Sequence, residues 1–169
     1  MRSFKLVLAT ASLALAGCAT TYTVPEEYTG PTADLADSVM RESPGVLRAY
    51  AASKIDGKIV NNAIGASAQR SQVMGSIAFG LLEASVTRTV EAKPMKVQLR
   101  AQHMASAFAG FALLAKHQFY GVHDGVVDFD PKPGHKYQVK GAMGPEEIAV
   151  WIEDTATGER VTDKVAKKP

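Results

Sequence analysis

Met95-Lys96-Val97-Gln98-Leu99-Arg100 decides the fold class. Apolar and polar side chains alternate strictly, so one face of this segment is buried and the other is wet, which is the period of a β-strand. The same alternation recurs toward the C-terminus. Tyr137 and Val139 alternate with Lys136, Gln138 and Lys140, and Ile148, Val150 and Ile152 alternate with Ala149, Trp151 and Glu153. Turn chemistry sits between such runs. Asp56-Gly57 separates Val46–Ile55 from Lys58-Ile59-Val60, and both of its residues tolerate positive φ, so a hairpin is predicted there. Pro131-Lys132-Pro133-Gly134 after Val126, Val127 and Phe129 predicts a second hairpin, into Tyr137 and Val139. Thr155-Ala156-Thr157-Gly158 predicts a third, returning through Glu159-Arg160-Val161. Short strands separated by turns make a mainly β chain, a small antiparallel β-sandwich with room for one short helix.

Two stretches do not follow this rhythm. Residues 61–84 are rich in Gly, Ala and Ser, and Val73–Leu82 reads equally as a buried strand, a short helix or a loop. Met104–Ala115 carries no charge. Met104, Phe108, Phe111 and Ala115 share one helical face and the alanines favour a helix, although a strand also fits. The run is too short to span a bilayer. Core packing is the first expectation for it, and a surface for a membrane or a partner is the second.

Working outward to the N-terminus, Arg2 and Lys5 precede the uncharged run Leu6–Ala16. That is the charge and hydropathy pattern of a secretory signal. A helix of eleven residues spans about 16 Å, half of a bilayer core, so a permanent transmembrane anchor is not expected. The run ends in Leu15-Ala16-Gly17-Cys18, small residues in front of the only cysteine of the chain. This motif resembles the lipobox of bacterial lipoproteins. The resemblance implies cleavage before Cys18, a diacylglycerol on its thiol and a further acyl chain of the palmitate kind on its amine. Several chains anchor stably, at about 0.8 kcal/mol per buried methylene. Ala19, where an inner-membrane retention signal has Asp, implies the outer membrane of a Gram-negative cell, facing the periplasm. Residues 18–32 then read as a lipidated tether, 33–163 as the β-sandwich domain and 164–169, with Lys164, Lys167 and Lys168, as a solvated basic tail.

Tyr28-Thr29-Gly30-Pro31, Lys54-Ile55-Asp56-Gly57-Lys58, Pro133-Gly134-His135-Lys136-Tyr137 and Val150-Trp151-Ile152-Glu153-Asp154 together resemble proteobacterial lipoproteins with a small transthyretin-like or PEGA-like β domain. The resemblance covers most of residues 28–162. It implies a fold and a location, and no reaction.

Charge and composition narrow the partners. Removing Arg2 and Lys5 with the signal takes the 19 basic residues to 17, against 17 acidic ones, so a nucleic-acid surface has no electrostatic support. A lone cysteine excludes an internal disulfide and a multi-cysteine metal site. Among the histidines, His117 and His123 are near Asp124, Asp128 and Asp130, the residue types that hold zinc or a harder divalent ion, but no HExxH pattern accompanies them. The first expectation is that the histidines, His103 and His135 among them, are scattered over the surface, with His135 exposed in the turn after Gly134. Ser67, Ser71, Ser76 and Ser106 lie in no Gly-x-Ser-x-Gly elbow, and no phosphate-binding glycine loop exists. The acid pairs Glu26-Glu27, Glu146-Glu147 and Glu153-Asp154 are sequence neighbours, which on a strand point to opposite faces. Trp151, the only tryptophan, faces away from Val150 and Ile152, either packed under a neighbour or presented to a sugar or a protein. No motif asks for a cofactor. The expected function is that of a non-catalytic structural or interaction module of the envelope, bound to the membrane through its lipid and to an envelope protein or the cell wall. Two further readings stand beside it. One is an envelope hydrolase or metal-dependent enzyme using His117, His123 and the nearby Asp residues; the other is a carrier with Met104–Ala115 lining a cavity for a hydrophobic ligand.

Overall fold

The computed structural model describes residues 21–73, 80–116 and 118–168. The readings placed on Leu15, Ala16, Gly17, Cys18, Ser76 and His117 fall outside them. In chain order the elements are β1 (Thr32–Ala36), β2 (Ser38–Ser43), β3 (Val46–Ile55), β4 (Lys58–Ile59), α1 (Ala63–Val73) and β5 (Thr87–Glu91). There follow β6 (Met95–Ala105), α2 (Ala107–Ala115), β7 (Val122–Phe129), β8 (Lys136–Met143), β9 (Ile148–Asp154) and β10 (Val165–Lys167). They form two sheets, one ordered β2-β3-β6-β7 with β4 on β3, the other β10-β9-β8-β1-β5.

The expected sandwich is present. Met95, Val97, Leu99 and Ala101 of β6 point inward and meet Leu35, Tyr137, Val139 and Ile152 from the opposite sheet. Gly141 on β8 is where Tyr50 crosses the core. A Cβ there would come within 2.2 Å of the tyrosine ring, so the side-chain-free position lets the sheets close. The Asp56-Gly57 hairpin forms as read, with φ of 48° and 78° at its two residues.

The sandwich is not wholly antiparallel. β1 and β8 pair in parallel, Leu35 opposite Tyr137. This follows from a corner at Asp37, the one residue between β1 and β2, where the chain leaves one sheet for the other. The Asp37 carboxylate is fully buried and accepts three bonds. They come from Ala52 N at 3.1 Å, Ala63 N at 2.8 Å and Arg88 Nη2 at 2.6 Å, the last of which is also an ion pair. One side chain thus satisfies the irregular step in β3 after Ala52 and the first turn of α1. Burial pushes the Asp37 carboxyl up, and the hydrogen bond and charge of Arg88 with the two amides pull it back.

Several expectations are corrected. β7 and β8 do not form a hairpin: they lie in different sheets, joined by a loop that crosses the end of the sandwich. Pro131 and Pro133 offer no N–H to a ladder, and the loop is held on β1 by a bond from Gly134 N to Thr32 O at 2.8 Å. Phe129 and Tyr137 therefore meet edge to face across the core, 5.0 Å between centroids, and not side by side in one sheet. The turn after β9 is as read, but its return is limited to the bridge Glu153–Arg160 and the Val161 N to Ile152 O bond, 2.9 Å. The tail expected over 164–169 is docked at Val165–Lys167, where Val165 pairs with Val150 and packs on the core. Within 18–32, Thr21 bridges Ile59 and Tyr22 packs on the core, its hydroxyl accepting from Glu91 N at 3.3 Å. The part of the expected tether that begins at Thr21 is docked.

Residues 63–73 are helical, which answers the first part of the open stretch 61–84, while residues 74–79 of the undecided Val73–Leu82 lie outside the described residues. α1 lies over the outer face of the first sheet, where Ile64 meets Leu47, Ala49, Ala51, Leu81 and Met104 in a second, smaller core. β3 is consequently buried on both faces, which is why Val46–Ile55 shows no clean alternation. The other stretch divides. Met104 and Ala105 finish β6, and α2 begins after Ser106, whose hydroxyl accepts from Ala109 N. Core packing of α2 is overturned: none of its residues is buried.

Candidate functional site

The histidine and aspartate candidates on β7 do not converge. His123 and Asp124 are neighbours on a strand and point to opposite faces. The ring of His123 turns inward, and its Nε2 is buried without a hydrogen-bond partner among the described residues. Asp124 faces out and is held by both ends of a guanidinium, Arg100 Nε at 2.7 Å and Nη2 at 2.8 Å. Asp128 is paired with Lys96 at 2.8 Å. Among the described residues no three His, Cys, Asp or Glu side chains gather to hold a metal ion. The serine hydroxyls serve the backbone: Ser67 accepts from Ala84 N and Ser71 from Leu82 N, both at 2.9 Å, and Ser106 caps α2.

Two histidines expected at the surface have defined places, and for His103 the expectation is overturned, since it is buried. His135 Nδ1 lies 2.6 Å from Asp154 Oδ2, while Asp154 Oδ1 accepts from Ala156 N at 2.8 Å in the turn after β9. The His135 hydrogen bond, with that amide, holds the Asp154 carboxyl below the usual range. His103 is the next inward position after Met95, Val97, Leu99 and Ala101, so the alternation itself placed it inside. Its ring stacks on Phe119 and Tyr120, at 5.3 and 5.7 Å. Nδ1 accepts from Tyr120 N at 3.4 Å, which leaves the proton on Nε2, 3.2 Å from Glu42 Oε2. Burial holds the His103 pKa down, against the pull of Glu42.

Two surfaces stand out. The first is the outer face of the second sheet, which α1 does not cover. Asp34 and Ala36 of β1, Gln138 and Lys140 of β8, and Trp151 and Glu153 of β9 share it, Trp151 opposite Lys140 and Glu153 opposite Gln138. The expected direction of Trp151, away from Val150 and Ile152, is what the structure has. Its Nε1 donates to Glu153 Oε1 at 2.6 Å. Lys164 Nζ sits 5.8 Å from the ring centroid and bonds to Glu147 Oε1 at 2.7 Å. The indole is half-buried, its polar edge tied and one face under a cation. This leaves a rigid aromatic plate in a polar sheet surface.

The second surface is α2. Phe108, Phe111 and Leu114, three apart along the helix, are 71%, 77% and 59% exposed. Phe119 stands beside them, and a cleft of about 220 Å³ opens between Phe119 and the helix. The apolar side chains face outward and do not line an interior cavity. Among the described residues no helix is long and apolar enough to cross a membrane.

Comparison with known proteins finds no family model, no curated protein and no solved structure that matches this chain.

Proposed function

We propose that the protein is a lipid-anchored, non-catalytic module of the outer membrane that faces the periplasm and engages an envelope protein or cell-wall polymer. The observation that carries this reading is the asymmetry of the sandwich. One sheet has its outer face filled by α1, while the other leaves its outer face open and places the only tryptophan in it beside Gln138, Lys140 and Glu153. A half-buried indole flanked by fixed polar groups suits a sugar ring or a protein side chain, because it offers apolar area that is ordered in advance. The Leu15-Ala16-Gly17-Cys18 motif supports the anchor. Anchoring confines the module to the plane of its partners and raises their effective concentration, so a modest contact surface suffices.

The test is in-cell crosslinking with a photoreactive aromatic residue in place of Trp151, in the native lipidated protein. A reproducible protein or cell-wall adduct, lost on Cys18→Ala, is the expected result. A protein that fractionates with the outer membrane yet gives no adduct from position 151 refutes the assigned face. Correct processing and membrane retention of the Cys18→Ala variant refutes the anchor.

A further inference from the structure

We infer that α2 is a second membrane contact, which lies in the headgroup region of the bilayer that holds the lipid anchor and lays the sandwich along its surface. The inference rests on the anchored reading above. Its first support is reach. Cys18 is three residues from Thr21, and Thr21 is docked on Ile59. Three residues extend at most about 11 Å, so the folded body cannot be lifted clear of the bilayer.

The second support is where the anchor and the helix sit. Ile59 pairs with Lys54 near the end of β3, and Ala105, just before α2, pairs with Val46 at its start. Eight residues of strand separate the two points by about 26 Å. A body tied at one end by so short a link either stands on that end or lies down. The side chains at the far end distinguish the two. Residues 104–115 carry no charge, Phe111 and Leu114 face solvent, and Lys116 follows the last turn as a cation at headgroup level. A short helix with one wholly apolar rim suits the boundary between headgroups and acyl chains.

The third support is size. A nine-residue helix is about 13 Å long, so the strip it offers is far smaller than the roughly 800 Å² per partner of a stable dimer. A bilayer asks for no shape complementarity and accepts such a strip.

The test uses the full lipidated protein in vesicles of phosphatidylethanolamine and phosphatidylglycerol. Cys18 is the only cysteine and is acylated in this reading, so Phe111→Cys supplies a unique thiol for a polarity-sensitive fluorophore. Position 111 is exposed, so the change leaves the core intact. On vesicles the emission is expected to shift to the blue, to be quenched by nitroxide-bearing acyl chains and to lose access to iodide. Leu114→Asp is expected to reverse all three. A protein that floats with the vesicles while the label stays open to iodide overturns the inference and leaves the anchor standing. A blue shift that follows protein concentration without quenching by the acyl chains overturns it in favour of a second copy. Failure to float removes the anchored reading, and this inference falls with it.

Discussion

The two helices are an instructive pair. α1 is Ala-Ile-Gly-Ala-Ser-Ala-Gln-Arg-Ser-Gln-Val, poor in large apolar side chains, and it is buried along Ala63, Ile64, Ser67 and Ser71. α2 is Ala-Phe-Ala-Gly-Phe-Ala-Leu-Leu-Ala, and none of it is buried. Hydropathy alone would exchange their places. What decides is where the chain delivers each helix and which backbone groups fix it. α1 follows β4 and is held across the sheet by Asp37 at its first turn and by Ser67 and Ser71, whose hydroxyls accept from Ala84 N and Leu82 N. Small residues let it lie close to Ala49 and Ala51. α2 fills the connection between β6 and β7 at the end of the sandwich, where there is no sheet face to cover.

The difference can be broken most forcefully at Asp37. Asp37→Ala leaves Arg88 without its carboxylate partner and removes the acceptor of two buried amides. A loss of about 3–5 kcal/mol is expected, the range for breaking a buried pair from one side. Urea denaturation measures it, and hydrogen exchange in α1 should rise with it. Ile64→Ala comes next, since Ile64 is the large apolar side chain that α1 puts into the smaller core. About 2–4 kcal/mol is expected by the same denaturation; a loss under about 0.5 kcal/mol would mean that α1 is not held by packing.

The chain that returns from α2 has a titrating support. His103, under Phe119 and Tyr120, is neutral in the fold with its pKa held down by burial. The unfolded chain therefore takes up a proton first as pH falls, and the native state loses stability below the unfolded value of about 6.5. Thermal melts between neutral pH and the range of the carboxylates should show this slope, and His103→Phe should flatten it. Asp154 acts in another window. Its pKa is lowered chiefly by His135, so its contribution is present above the unfolded value of about 3.9 and is lost as pH falls through the folded one. In Asp154→Asn that acid-side loss should be absent. The smallest effect on stability belongs to α2. Phe111→Ser should move the unfolding free energy by no more than about 0.5 kcal/mol, because the ring is already in solvent. A larger loss would show that α2 is packed after all.

The strand rhythm and the Asp56-Gly57 turn were open to reading because each depends on neighbouring residues alone. Alternation reports one wet face, and a turn reports its own φ angles. The inward place of His103 was legible by the same alternation. The Pro131–Gly134 loop was not, because a loop that returns within a sheet and one that crosses between sheets use the same residues; the edge-to-face meeting of Phe129 and Tyr137 distinguishes them. Asp37 was equally silent, as its partners Ala52, Ala63 and Arg88 are 15, 26 and 51 residues away. His123 and Asp124 point apart for a local reason, since adjacent strand positions diverge.

By itself, then, the chain determined its β class, the two faces of β6, β8 and β9, and the outward direction of Trp151. Only the tertiary structure decided that β1 and β2 divide between two sheets, that the chain after Lys164 returns to the sheet, and that the more polar helix is buried and the apolar one exposed. Periodicity records how many sides of an element are dry. Which element dries them depends on contacts between residues far apart in sequence, and for α2 the fold supplies none that buries it.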